Sequence, residues 1–193
     1  MTALSFPLRP TPRLPWAPMT EAEWSLLAPI LYGDEARRRG RPPADARRLW
    51  DAIFWVACSR GPWRDLPPEL GRADTAHRAL RRHARNGTLD RLLIAASPHP
   101  LAGGDFAALA WRIARAFRRV ARLLTMAQLL MAKRLGLASA LPCAPEHLPK
   151  PHLSETINRL ARFIRGARPK LLRFLIHLHR ELEGNRRRWR LTD

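Results

Sequence analysis

The chain has 193 residues, a formal net charge of +19 and an isoelectric point near 11.8. Its 46% of hydrophobic residues supplies a core and excludes a wholly disordered polycation, while the positive balance points to a polyanionic partner, nucleic acid ahead of anionic lipid. Two cysteines, Cys58 and Cys143, exclude a disulfide framework, and Arg interrupts every apolar run before the roughly 18 residues that a membrane helix requires.

The charge is uneven. Residues 1–96 hold 16 basic and 10 acidic residues, whereas residues 97–193 hold 19 and 6. Nearly all the cations are Arg, with Lys only at Lys133, Lys150 and Lys170. A GC-rich coding bias accounts for abundant Arg, but not for the thinning of the acids. The N-terminus, with Pro7, Pro10, Pro12, Pro15 and Pro18, lacks the apolar centre of a signal peptide, so a cytoplasmic, nucleoid-associated location is expected.

In chain order, residues 1–18 read as a flexible proline-rich lead. A helix begins after Thr20, which has Glu23 at the capping-box spacing, and it turns Trp24, Leu27 and Leu31 inward. A loop follows with Arg37, Arg38, Arg39 and Arg41 around Gly40. Asp45 caps the next helix, ARRLWDAIFWVACS, whose wide apolar surface marks it as central. A short helix is expected near Arg64–Leu70, then a turn at Gly71, a basic helix over about Ala73–Arg85, and a last short helix over about Leu89–Ala96. The outline is that of a helix-turn-helix domain at 19–96. A linker at 97–105 leads to a basic helical extension at 106–184 and a basic tail at 185–193. Within the extension one long helix is expected over about 106–135, with Leu109, Ile113, Phe117, Val120, Leu124 and Met131 on its apolar side and Arg112, Arg115, Arg119 and Arg122 opposite. A proline-rich linker at 136–153 follows. Then come a helix capped by Ser154, carrying Ile157, Leu160 and Ile164, and a final helix from Pro169 to about Leu182. The long helix is expected to pack against these last two in an antiparallel bundle. The fold class expected is all-α.

The runs MTEAEWSLLAPIL and RRRGRPPADARRLWDAIFWVACSRGPWRDLPPELG carry a resemblance. With Thr20, Trp24, Pro29 and Leu31, then Gly40-Arg41-Pro42, Asp45 and Arg47, then Pro62 to Pro67 and Gly71, and finally Asn86-Gly87 and Leu89 to Leu93, residues 17–96 resemble the N-terminal DNA-binding domain of bacterial insertion-sequence transposases of the "five" group. The basic helix departs from that pattern. Arg72, Ala73, Asp74, His77 and His83 stand where the family places other residue types, including aromatic anchors.

The resemblance implies DNA as partner, including the terminal inverted repeats of an insertion element. It also implies a role in transposition and DNA recombination. Catalysis in such transposases rests on a ribonuclease-H-like domain in which three carboxylates hold two Mg²⁺ ions. Residues 97–193 offer only Asp105, Glu146, Glu155, Glu181, Glu183 and Asp193, with no trio on strands. The expectation is therefore a non-enzymatic part without cofactor or metal, partnered by a separately encoded catalytic transposase subunit or a second copy of itself. A membrane is not the expected partner.

In a helix-turn-helix the second helix enters the major groove. The candidate DNA-binding residues are Thr75, His77, Arg78, Arg81, Arg82 and Arg85, with Arg37, Arg38, Arg39 and Arg41 as a basic arm on the backbone or in a minor groove. Arg78 and Arg81 are the candidates to read guanine, since a guanidinium makes two hydrogen bonds to that base. Trp63, Arg64 and Asp65 read as architecture rather than acid–base chemistry. Cys143, Glu146, His147 and His152 cluster in sequence but match no zinc module. A different class of function, a helical interaction or membrane-surface protein, rests on the basic amphipathic C-terminal helices.

Overall fold

A computed structural model describes residues 7–32, 45–59, 61–97, 106–148, 156–157, 159–160 and 169–182. The fold is all-α, with no strand among the described residues. The helices whose bounds lie among the described residues are α1 (Glu21–Tyr32), α2 (Ala46–Ser59), α3 (Ala73–Arg85), α4 (Thr88–Ala95), α5 (Ala107–Arg119), α6 (Met126–Arg134) and α7 (Pro169–Leu182).

Local chemistry sets most of these bounds. The Thr20 hydroxyl accepts the Glu23 backbone N–H at 3.2 Å, and the Glu23 carboxylate accepts the Thr20 N–H at 2.8 Å, closing the expected capping box. The Asp45 carboxylate accepts the Arg48 N–H at 2.8 Å and starts α2. Between α2 and α3 the expected single short helix is two 3₁₀ turns, Trp63–Asp65 and Pro68–Leu70. The cause is the Pro67-Pro68 pair, which removes two N–H donors and holds Leu66 and Pro67 in extended backbone. Gly71 then turns the chain at a φ of 102°.

The central helix is α2. Trp50, Ile53, Phe54 and Val56 are fully enclosed, with α3 on one side and α5 on another. One hydrophobic core runs from Met19 to Leu148, so the segments on either side of 97–105 share it.

The stretch beyond 106 departs from the expected single long helix. α5 ends at Arg119, a 3₁₀ turn occupies Ala121–Leu123, and α6 starts afresh at Met126. Thr125 and Gln128 form a second capping box, which specifies a new helix start. Among the described residues, α5 packs on α2, α4 and the turn Ala138–Ala140, while most of the helix expected from Ser154 lies outside the described residues.

Three further expectations change. Residues 7–18 do not hang free as a lead. The Arg9 N–H donates to Gly136 O at 2.8 Å, Arg9 O accepts from Ala138 N–H at 3.2 Å, and Thr11 N–H donates to the Ser139 hydroxyl at 2.9 Å. Leu8 and Trp16 rest on the core, so the segment is a strap. Within the expected linker, Leu137, Ala140, Leu141, Cys143 and Leu148 are core residues, and Lys133 Nζ donates to Pro145 O at 2.7 Å and Leu148 O at 3.0 Å. Arg112, expected opposite the apolar stripe, is 5% exposed. It donates to Ala17 O at 2.7 Å and pairs with the Glu23 carboxylate at 3.7 Å. One cation thus joins the strap, α1 and α5.

Candidate nucleic-acid interface

α3 has two chemically opposed faces. Ala76, Ala79, Leu80, His83 and Ala84 are buried against α2 and α4, at the spacing of one helix side. Thr75, Arg78, Arg82 and Arg85 are exposed, and His77 and Arg81 are half-buried. Arg78, Arg81, Arg82 and Arg85, with Asn86, line an open groove of about 450 Å³. The structure therefore brings five of the six candidate residues of this helix to one face, while His77 lies at its border.

Few anions compensate these cations. Arg78 approaches Asp74 at 4.0 Å, with side chains 82% and 74% exposed, a solvated pair of little strength. No carboxylate pairs with Arg81, Arg82 or Arg85 among the described residues. The cations also sit toward the C-terminal turn, where the helix dipole favours positive charge.

Both ends of α3 are fixed from outside. At its start, Trp63 packs its ring on His77, centroids 5.1 Å apart and planes at 54°. The Arg119 guanidinium lies 6.0 Å from the Trp63 ring and donates to Gly61 O at 2.7 Å. Trp63 is thus structural, as expected, and Arg64 and Asp65 form an exposed ion pair at 3.7 Å. At its end, Gly87 takes a φ of 76°, and Asn86 Oδ1 accepts the Thr88 N–H at 3.1 Å. The Gln128 amide donates to Ala84 O at 3.1 Å and to the Asp90 carboxylate at 2.9 Å, tying α6 to the α3–α4 corner.

His83 is the buried ionisable group of α3. Its ring lies 5.0 Å from the Trp50 ring, and Nδ1 has no hydrogen-bond partner among the described residues. Burial, with Arg82 and Arg91 nearby, lowers its pKa to about 4, so it is neutral near pH 7. It is a core residue rather than a DNA contact. Asp51, on α2, accepts the Met19 N–H at 2.8 Å; burial raises its carboxyl above the usual range.

Arg37, Arg38, Arg39 and Arg41 lie outside the described residues, as does His152. Cys143 is buried while Glu146 and His147 are exposed, and no group of three metal-ligating side chains occurs among the described residues. Sequence reasoning missed Asn86 as a groove residue, and Arg119 and Gln128 as supports of α3. For Gln128 the sequence carries a signal, the Thr125-x-x-Gln128 capping box; for Arg119 it carries none.

Residues 19–93 match the family described as "Putative transposase of IS4/5 family (DUF4096)". The "Uncharacterized protein y4sN" of Sinorhizobium fredii (strain NBRC 101917 / NGR234) is 33% identical over 75 residues, which are 39% of this chain and 59% of that relative. The chain thus spans about three fifths of the length of that curated relative. No solved structure matches. The likeness to the IS4/5 transposase family thus lies in the N-terminal region of this chain, residues 19–93.

Proposed function

We propose that this chain binds duplex DNA through the exposed face of α3 and serves as the end-recognition part of an insertion-element transposase. The observation that carries the reading is the groove of Arg78, Arg81, Arg82, Arg85 and Asn86, displayed by a helix whose other face is locked into the core of a transposase-family domain. In this reading α2, the Gly71 turn and α3 act as a helix-turn-helix. Its connection holds at least residues 61–72, longer than the roughly 3–4-residue turn of the compact motif. Arg78 and Arg81 read base edges, while Arg82 and Arg85 hold phosphates. Strand cleavage and joining belong to a separately encoded catalytic subunit, and this chain supplies recognition without a cofactor.

The test is fluorescence anisotropy of the purified protein on random duplex and on the inverted repeats flanking its gene, across a salt series. Steep salt dependence, preference for the repeats, and loss of that preference in Arg78→Ala and Arg81→Ala support end recognition. Equal affinity for every duplex removes sequence recognition, and absence of binding removes DNA as partner.

A second reading has its own observation. α7 exposes Leu171, Phe174 and Ile176 at 37%, 58% and 43%, beside Lys170 and Arg173. An apolar and basic helix of this kind suits an anionic lipid surface or another protein. Cosedimentation of the intact protein with anionic vesicles, abolished by Phe174→Ser, supports it; no cosedimentation removes the lipid version.

A further inference from the structure

The segment that follows α5 is tied to α3 at two points, directly through Gln128 and indirectly through Arg119 and Trp63. His77 and Ala84 are seven residues apart, two helical turns, and so lie on the same flank of α3, about 10 Å apart along the axis. Each is held by the same later stretch of chain. Arg119 caps the Trp63 ring that packs on His77, and Gln128 donates to Ala84 O. Residues 119–128 therefore connect two points two helical turns apart on α3. Arg81, four residues after His77 and three before Ala84, lies between the two anchors on the same side. In the connecting stretch, Arg122 lies between the anchors at residues 119 and 128. It sits in the 3₁₀ turn Ala121–Leu123 and is exposed, while Ala121 and Leu124 on either side are buried and hold the turn in place.

We propose that Arg122 is a phosphate contact, so that the DNA-binding face extends beyond the transposase-family domain into the segment after α5. The inference rests on DNA binding by α3. A helix laid in a major groove is flanked by the two sugar–phosphate backbones, and a cation bordering the helix meets one of them. Arg122 adds affinity without sequence choice. Arg119 is a positioning residue, since it acts on α3 through Trp63.

The experiment uses the full chain and a fluorescein-labelled random duplex, with anisotropy between about 50 and 200 mM salt. Arg122→Ala is compared with Arg122→Lys and with Arg13→Ala, an exposed strap residue whose loss changes the net charge equally. Circular dichroism confirms that each variant is folded. Arg122→Ala is expected to reduce the slope of log affinity against log salt by about 0.9, one phosphate contact. It is also expected to weaken random and repeat duplexes by the same factor. Arg122→Lys restores the slope, and Arg13→Ala leaves it unchanged. Wild-type slope in Arg122→Ala, while Arg78→Ala and Arg81→Ala weaken binding, overturns the Arg122 contact and leaves the α3 reading standing. An equal drop in Arg13→Ala also overturns it, by reducing the effect to net charge. Failure of the wild-type protein to bind any duplex sinks the α3 reading and this inference together.

Discussion

Replacing Arg112 with Met tests whether one buried cation holds three parts of the fold together. The Arg112 side chain is 6% exposed and the partnered Glu23 side chain 13%. Removing Arg112 deletes the hydrogen bond to Ala17 O and leaves a nearly buried carboxylate without its cation. Breaking a buried pair from one side costs about 3–5 kcal/mol, because the remaining charge is uncompensated. Met restores part of the packing, which puts the expectation near the lower end, about 3 kcal/mol. For a chain of this size each kcal/mol moves Tm by about 2–4 °C, so a drop near 10 °C is expected. The partner change is Glu23→Gln. Its amide oxygen still accepts the Thr20 N–H, as Gln128 accepts from Thr125 in α6, but the charge is gone. The double variant Arg112→Met with Glu23→Gln should therefore lose clearly less than the sum of the single losses. Urea unfolding followed by tryptophan fluorescence measures all four proteins. A loss below about 1 kcal/mol in Arg112→Met, or strictly additive losses, would refute the argument that the pair is buried and coupled.

Three further outcomes are expected. His83 has a folded pKa near 4 and an unfolded value near 6.5, so the folded state binds its proton more weakly. The stability it contributes is complete above pH 6.5 and is lost as pH falls through 4, a change of about 3 kcal/mol; urea midpoints from pH 7 to 4 should show a decline that His83→Gln flattens. Burial pushes the Cys58 thiol up to about 11, so alkylation of native protein at pH 8 should be far slower at Cys58 than after unfolding, as read by peptide mass mapping. Gly87→Ala places a Cβ in left-handed backbone at a φ of 76° and should cost about 1–2 kcal/mol in thermal or urea unfolding; an unchanged midpoint would contradict the turn geometry.

Local information in the sequence determined the helices of the first half. Thr20 and Glu23, Asp45, and Asn86-Gly87 act within a few residues of themselves, so α1, α2, α3 and α4 begin and end close to where their capping and turn residues place them. The two-faced nature of α3 is equally local, because a basic face and an alanine–leucine face at 3.6-residue spacing need no partner to be legible. The Thr125-x-x-Gln128 box was as legible and marks the break that the apolar stripe of residues 106–135 conceals.

Tertiary structure alone decided the rest, because it depends on groups far apart in sequence. An Arg on a helix reads as solvated, yet Arg112 is buried since Glu23 and Ala17 arrive from 89 and 95 residues away. A proline-rich start reads as loose, yet Arg9 pairs with the backbone groups of Gly136 and Ala138, more than 125 residues away. A basic stretch after α5 reads as an appendage, yet Arg119 fastens it to Gly61 before α3 and Gln128 to Ala84 within it. Periodicity reports which face of a helix is apolar; it carries no information about which distant groups will meet it, and those meetings set the border of the candidate DNA-binding face.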